Sequence, residues 1–267
     1  VVDVTLEGKS VVITSGAAGI GRYIALGCAE RGANVTLGDI DVPTLERTGA
    51  ELRALGGGVA THRCDVREED QVAEMMSAAA ERFGGIDYLV NSAGIAPQFA
   101  WKPLWPYVRD TEGAFWETIF ATNLTGVFLC CKAALAQMVP QRSGHIVNVI
   151  SRQSGVTGLD GVAYIMSKQA IAVFSRYLAE QEREHGICVM AIGPGGPYAT
   201  ETASPEARAS LPGPELSGDR YFLAADAPME LSGRVLDLVD GELVPLDVAL
   251  DHEVLPLGAP TELARRR

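Results

Sequence analysis

No basic surplus offsets the acidic character of this chain: 22 lysines and arginines stand against 34 aspartates and glutamates, a formal net charge of −12. That balance argues against a phosphate-backbone partner such as DNA or RNA, and the basic run Arg265 to Arg267 reads as a solvated tail. Cysteines are few, five in 267 residues, and none forms a C-x-x-C pair. Cys64, Cys130 and Cys188 lie in apolar runs, so the thiols read as reduced core residues. His252 has no Cys or His nearby, and no metal site is expected. No stretch approaches 18 uncharged apolar residues and no basic-then-apolar leader opens the chain, so a soluble, cytoplasmic protein without a membrane partner is expected. Charged residues make up only 21% against 47% hydrophobic, which supports a large core and excludes global disorder.

What is present is an alternation of short apolar runs and longer helix-like segments. Strands are expected at Ser10 to Ser15, Asn34 to Asp39, in "VATHRCDV", in "IDYLVNSAG", at His145 to Ser151, at Ile187 to Gly193 and at Arg234 to Gly241. Helices are expected between them, including a long one from about Glu112 to Met138 and another over Val162 to His185. No two-residue hairpin turn is evident between strands. The pattern predicts parallel βαβ units in an α/β, doubly wound (Rossmann-like) sheet, one domain over residues 1–267. The Pro/Gly/Ser-rich stretch near 194–220 reads as a flap over a site, not as a domain boundary.

The first strand runs into "TSGAAGIG", which lacks the pattern G-x-G-x-x-G: its glycines are Gly16, Gly19 and Gly21. In a doubly wound sheet ligands bind beyond the carboxyl ends of the strands, where strand order reverses. Gly19 and Gly21 would let the backbone approach a pyrophosphate, and the N–H groups opening the helix at Ile20 would face its charge. The turn could equally be a glycine-rich bend without a ligand. Asp39, eighteen residues beyond Gly21, ends the second strand, where a carboxylate accepts from ribose hydroxyls. Gly38, Ile40, Ala17 and Ala18 offer no cation for a 2′-phosphate, which favours NAD over NADP. The alternative is that Asp39 caps the next helix.

"AYIMSK" places Tyr164 and Lys168 four apart, on one face of a helix. A nearby ammonium favours phenolate, so Lys168 is expected to lower the pKa of Tyr164 and fit it for proton exchange with a carbinol oxygen. Ser151, at the end of its strand, would steady that oxygen. Alone, such a Tyr/Lys pair is usually a packing or surface contact; with Ser151 and the glycine turn it favours chemistry.

Together these segments resemble the short-chain dehydrogenase/reductase superfamily from about Leu6 to Gly241. "TSGAAGIG" is similar to its T-G-x-x-x-G-x-G turn, "NSAG" (Asn91 to Gly94, with Ala93) to its N-N-A-G strand end, and Ser151, Tyr164 and Lys168 to its catalytic serine and Y-x-x-x-K. The resemblance implies that Asp65 in "CDV", followed by Val66, contacts adenine, that Asn123 in "ATNLTG" holds a water leading to Lys168, and that Lys168 also bonds the nicotinamide ribose. It implies too that Pro194 and Gly195 border the nicotinamide. Two departures stand out. Ser15 occupies the place of the first glycine, which strains the backbone if φ must be positive there, and Gly16 would carry the flexibility one residue on. Gly193 replaces an asparagine, and Thr200 comes one residue late for a bond to the carboxamide.

An aromatic-rich insertion near 96–116 carries Phe99, Trp101, Trp105, Tyr107, Phe115 and Trp116. They either pack the loop or wall an apolar substrate, with Arg152 and Gln153 as candidate polar contacts. The tail over 242–267 would cover a pocket or cross to a neighbour. The resemblance implies a homotetramer paired through the long helices. The expected function is NAD-dependent interconversion of a secondary alcohol and a ketone; alternatives are a nucleotide sensor without turnover and a non-redox enzyme on the same fold.

Overall fold

The computed structural model describes residues 4–95, 108–151, 162–195, 198, 199, 209 and 211–246. Its strands are β1 (Ser10–Thr14), β2 (Asn34–Asp39), β3 (Val59–Arg63), β4 (Tyr88–Asn91), β5 (Gly144–Val149), β6 (Ile187–Ile192), β7 (Val235–Val239) and β8 (Glu242–Pro245). Its main helices are α1 (Gly19–Glu30), α2 (Val42–Arg53), α3 (Glu69–Phe83), α4 (Gly113–Phe120), α5 (Gly126–Gln141), α6 (Val162–Glu182) and the single turn α7 (Arg220–Leu223). One sheet of eight strands has the order β3-β2-β1-β4-β5-β6-β7-β8. Every pair is parallel except β7 with β8. Strand order therefore reverses between β1 and β4, the crevice where ligands meet such sheets.

Burial on both faces explains the strands' continuous apolar runs. Side chains alternate along β1: Val11 and Ile13 enter a cluster with Ile24, Leu37 and Phe222, while Val12 enters the opposite one with Leu89, Val127 and Val189. Helix ends follow their sequence signals. Acidic Glu69 and Asp70 open α3 and Gly84 ends it at φ 83°, a left-handed conformation open to glycine. Asp41 caps α2 by accepting from the Thr44 N–H at 3.2 Å.

Two expectations require correction. The last strand is β8, not β7: Asp240 (φ 50°) and Gly241 (φ 86°) make a two-residue hairpin turn, and positive φ at both positions matches the twist of antiparallel strands. The long helix is interrupted by a π-helical stretch, Ala121–Thr125, around Asn123. The run Gly113–Gln141 is by length and composition apolar enough to cross a membrane, although it contains Glu117 and Lys132. In this fold that helix packs on α3 and the sheet, where Val127, Cys130, Cys131, Ala134 and Met138 are buried. All five cysteines are buried and unpaired.

Candidate active site

The strand register lines up Thr14, Gly38, Asn91 and Asn148 along one rim. Thr14 ties the two sides of the crevice together: its Oγ1 accepts from the N–H groups of Ser92 (3.1 Å) and Ala93 (3.0 Å).

The turn after β1 is tightly built. Ser15 has φ 54°, so the strain expected of a non-glycine residue there is present, on the order of 1 kcal/mol. Gly16 does not take over the positive φ. It is small because a Cβ would press on the Leu37 side chain at 2.6 Å, which corrects the idea of shifted flexibility. Gly19 has φ 59°, and a Cβ on Gly21 would fall onto the Ser15 carbonyl oxygen. Thr48 donates to the Ala17 carbonyl at 2.7 Å, and the Asp39 carboxylate accepts from the Ala17 N–H at 3.2 Å. Helix α1 starts at Gly19 and Ile20 with no side-chain cap from Ala18 and no acid in its first turn. Its N-terminal end, beside Gly16 and Gly21, forms a cradle that suits a pyrophosphate. These residues fit a nicotinamide dinucleotide.

Asp39 is not a helix cap; Asp41 has that role. The Asp39 carboxylate accepts from the N–H groups of Ala17 and Asp41, the latter at 3.0 Å. Asp65 is engaged by Arg67, which donates from its main chain at 3.0 Å and its guanidinium at 2.5 Å. That pairing holds the Asp65 carboxyl below its ordinary range, so adenine would compete with Arg67 for it. Val66 is buried beneath Gly126. Asn91 departs further from expectation, because its side chain lies inside the core. Its amide donates to Asn148 Oδ1 at 2.8 Å and the Cys131 sulfur at 3.3 Å, and Asn148 passes the chain to Ser175 at 2.9 Å. A dinucleotide could meet only the main chain of Asn91.

On the other side of the crevice Lys168 is 4% exposed, and its amine donates to the Val149 carbonyl at 2.9 Å. That amine lies 5.9 Å from the centroid of the Tyr164 ring. A Cβ added to Gly94 would stand 3.2 Å from the same amine and 3.4 Å from Asn123 Oδ1, which brings Gly94, Asn123 and Lys168 into one cluster. Asn123 is fully buried and clasps Ile95 from both sides, accepting from its N–H at 2.8 Å and donating to its carbonyl at 3.1 Å. It also donates to Ser167 Oγ at 3.1 Å, fastening the strand end to α6.

The protonation states differ from expectation. Burial raises the Tyr164 phenol above its ordinary value, against the lowering effect of its side-chain hydrogen bond with Ser151. Burial also pulls Lys168 from 10.5 down to about 8. Both charged forms suffer from the same dry surroundings, and the lysine amine is turned to a carbonyl. The expected lowering of Tyr164 by Lys168 is therefore absent from this geometry.

Residues 9–210 match the family model of the short chain dehydrogenases. The chain belongs to the short-chain dehydrogenase family. It is 33% identical over 256 residues to D-threitol dehydrogenase of Mycolicibacterium smegmatis, covering 90% of this chain and 94% of that protein. To cis-4-hydroxycyclohexanecarboxylate dehydrogenase of Sinomonas cyclohexanicum it is 36% identical over 245 residues, 87% of this chain and 95% of the relative. Matches to other curated relatives cover as little as 63% of their length. A solved structure of NAD+-bound xylitol dehydrogenase superposes with a TM-score of 0.67 at 32% identity, covering 72% of each chain. These likenesses support an oxidoreductase.

Several parts of this short-chain dehydrogenase escaped sequence reasoning. Thr14, Thr48 and Ser167 fix the turn, the crevice and the Asn123 cluster; a polar residue ending or interrupting a buried run was the available signal. Phe115 is buried and Trp116 packs with Phe120 at 4.5 Å between ring centroids, within a cluster that includes Ala163. These two therefore pack within the fold. Trp101, Trp105, Arg152, Gln153 and Thr200, with Phe99, Tyr107 and His252, lie outside the described residues.

Proposed function

We propose that this protein is an NAD(H)-dependent oxidoreductase that interconverts a secondary alcohol and its ketone, with an apolar or cyclic substrate. The observation that carries the reading is the meeting of Ser151, Tyr164 and Lys168, with Asn123 and Gly94, at the mouth of the β1/β4 crevice. Tyr164 moves the proton of the carbinol oxygen, and Ser151 holds that oxygen through the hydroxyl now bonded to Tyr164. Lys168 fixes the floor of the site, and Asn123 supports a water relay through which the proton would leave. A bound nicotinamide ring supplies the hydride acceptor or donor for the carbinol carbon. A phenol of raised pKa suits proton donation to a ketone; alcohol oxidation needs its ionised form, so oxidation should speed up with rising pH.

Asp39 supports NAD over NADP. The cyclohexane ring in one relative's name supports a cyclic substrate. Exposed Phe128 on α5 and Met166 and Tyr177 on α6 support pairing of copies through these helices, hence a homotetramer. Five unpaired buried thiols support a reducing, cytoplasmic setting.

The test is Tyr164→Phe against a panel of cyclic, aromatic and aliphatic secondary alcohols. NADH binding, read by fluorescence, stays near the wild-type level while turnover at 340 nm falls by about a hundredfold or more. Wild-type oxidation rates in the variant would refute the assignment.

A further inference from the structure

Beyond the rim residues, a largely buried ion pair, Arg220 with Asp237, is used by no part of the site above. Arg220 of α7 is 5% exposed. Its Nη1 donates to the Gly193 carbonyl at 2.6 Å and to Asp237 Oδ1 of β7 at 2.7 Å, and its Nε donates to the Ser217 carbonyl. The same Asp237 oxygen accepts from the Leu238 N–H at 2.8 Å. A Cβ on Gly195, which has φ 91°, would lie 2.7 Å from the other guanidinium nitrogen. The guanidinium therefore presses directly beneath the main chain where β6 leaves the sheet.

That exit segment, Gly193, Pro194 and Gly195, contains two residues with no side chain and one with no N–H. It has little means of holding its own shape. Its carbonyls are instead taken from outside: Gly193 by Arg220, and Pro194 by the Tyr198 hydroxyl. Burying an ion pair generally adds little to stability compared with apolar residues of like shape. A fork that joins α7, β7 and the β6 exit at one point does add geometry.

We propose that Arg220, oriented by Asp237, is a positioning residue that fixes the Gly193–Gly195 main chain and so sets the nicotinamide half of the coenzyme site, without touching the adenosine half. The inference rests on the coenzyme reading proposed above. Adenosine would be held at Asp39 and the glycine turn, which Arg220 does not contact, so the two halves respond differently to its loss.

The experiment compares NAD+ with ADP-ribose, which lacks the nicotinamide, by calorimetry on the full chain, and measures kcat beside it. The double change Arg220→Met with Asp237→Leu removes both charges and strands neither. It should leave ADP-ribose affinity near wild type, abolish most of the extra affinity that the nicotinamide brings, and lower kcat by about tenfold to a hundredfold. Arg220→Lys keeps the charge for Asp237 but loses the fork, so it should show the same pattern in milder form. Wild-type NAD+ preference and kcat in these variants would overturn the inference alone. A wild-type protein that bound neither ligand would overturn the coenzyme reading and the inference with it. Failure of both variants to fold would assign the pair to the scaffold and overturn the positioning role.

Discussion

Replacing Lys168 with methionine separates what this residue does for the site from what it does to the fold. Burial lowers its pKa from 10.5 to about 8, and a change of that size corresponds to about 3 kcal/mol of lost folding free energy at neutral pH. Methionine has a similar length and no charge, so Lys168→Met removes that penalty. It also leaves the Val149 carbonyl without its donor, a loss of about 1 kcal/mol. The net gain at pH 7 is roughly 2 kcal/mol, or about 4–8 °C in Tm for a domain of this size. The pH dependence follows from the direction of the shift. Below about pH 8 folded and unfolded chains both carry the ammonium, and the penalty is complete. Between about pH 8 and 10.5 the folded chain has released the proton and the unfolded chain still holds it. Wild-type stability rises with pH through that window, and the advantage of the variant fades. Urea unfolding at pH 7 and pH 10 measures both effects. A variant less stable than wild type at pH 7, or an advantage that persists unchanged at pH 10, would refute the reasoning.

Three further changes probe the rim. Ser15→Gly relieves about 1 kcal/mol of left-handed strain but frees the unfolded chain by nearly as much; stability should barely move while NADH titration shows tighter binding, and weaker binding would speak for the serine. Asp39→Ser removes the carboxylate that would repel a 2′-phosphate, so the ratio of kcat/KM for NAD to that for NADP should drop by about tenfold or more; an unchanged ratio would move the selectivity elsewhere. Thr14→Val strips the acceptor from the Ser92 and Ala93 N–H groups, and thermal unfolding should report a loss of about 2–4 kcal/mol. A loss under about 1 kcal/mol would mean that water replaces the hydroxyl.

Seven strands and helices α1 to α6 were legible because a sheet covered on both faces writes its strands as unbroken apolar runs. The eighth was not. "ELVP" is an edge strand with an acid and a proline, and it carries none of the interior signal, although Asp240–Gly241 is a strong hairpin pair. In the site, Ser151, Tyr164, Lys168 and Asp39 were legible as residue types at strand ends or one helical turn apart. Their protonation was not, since burial outweighed the Coulomb attraction that spacing alone suggests. Contacts such as Thr14 with Ala93 or Arg220 with Gly193 join residues far apart in the chain, and no local pattern announces them. At Asn91 the residue type did not tell which of its groups faces the rim: its amide is turned inward, onto Asn148.

The hairpin at the far margin also decides how the sheet can grow. Strand β8 is only four residues long and finishes on Pro245, which has no N–H to offer an incoming strand. At the opposite margin β3 ends on His62 and Arg63, whose polar side chains discourage another strand from docking. Both borders of the layer are thus unsuited to continuous pairing with a second copy, and assembly through backbone ladders is disfavoured at either side.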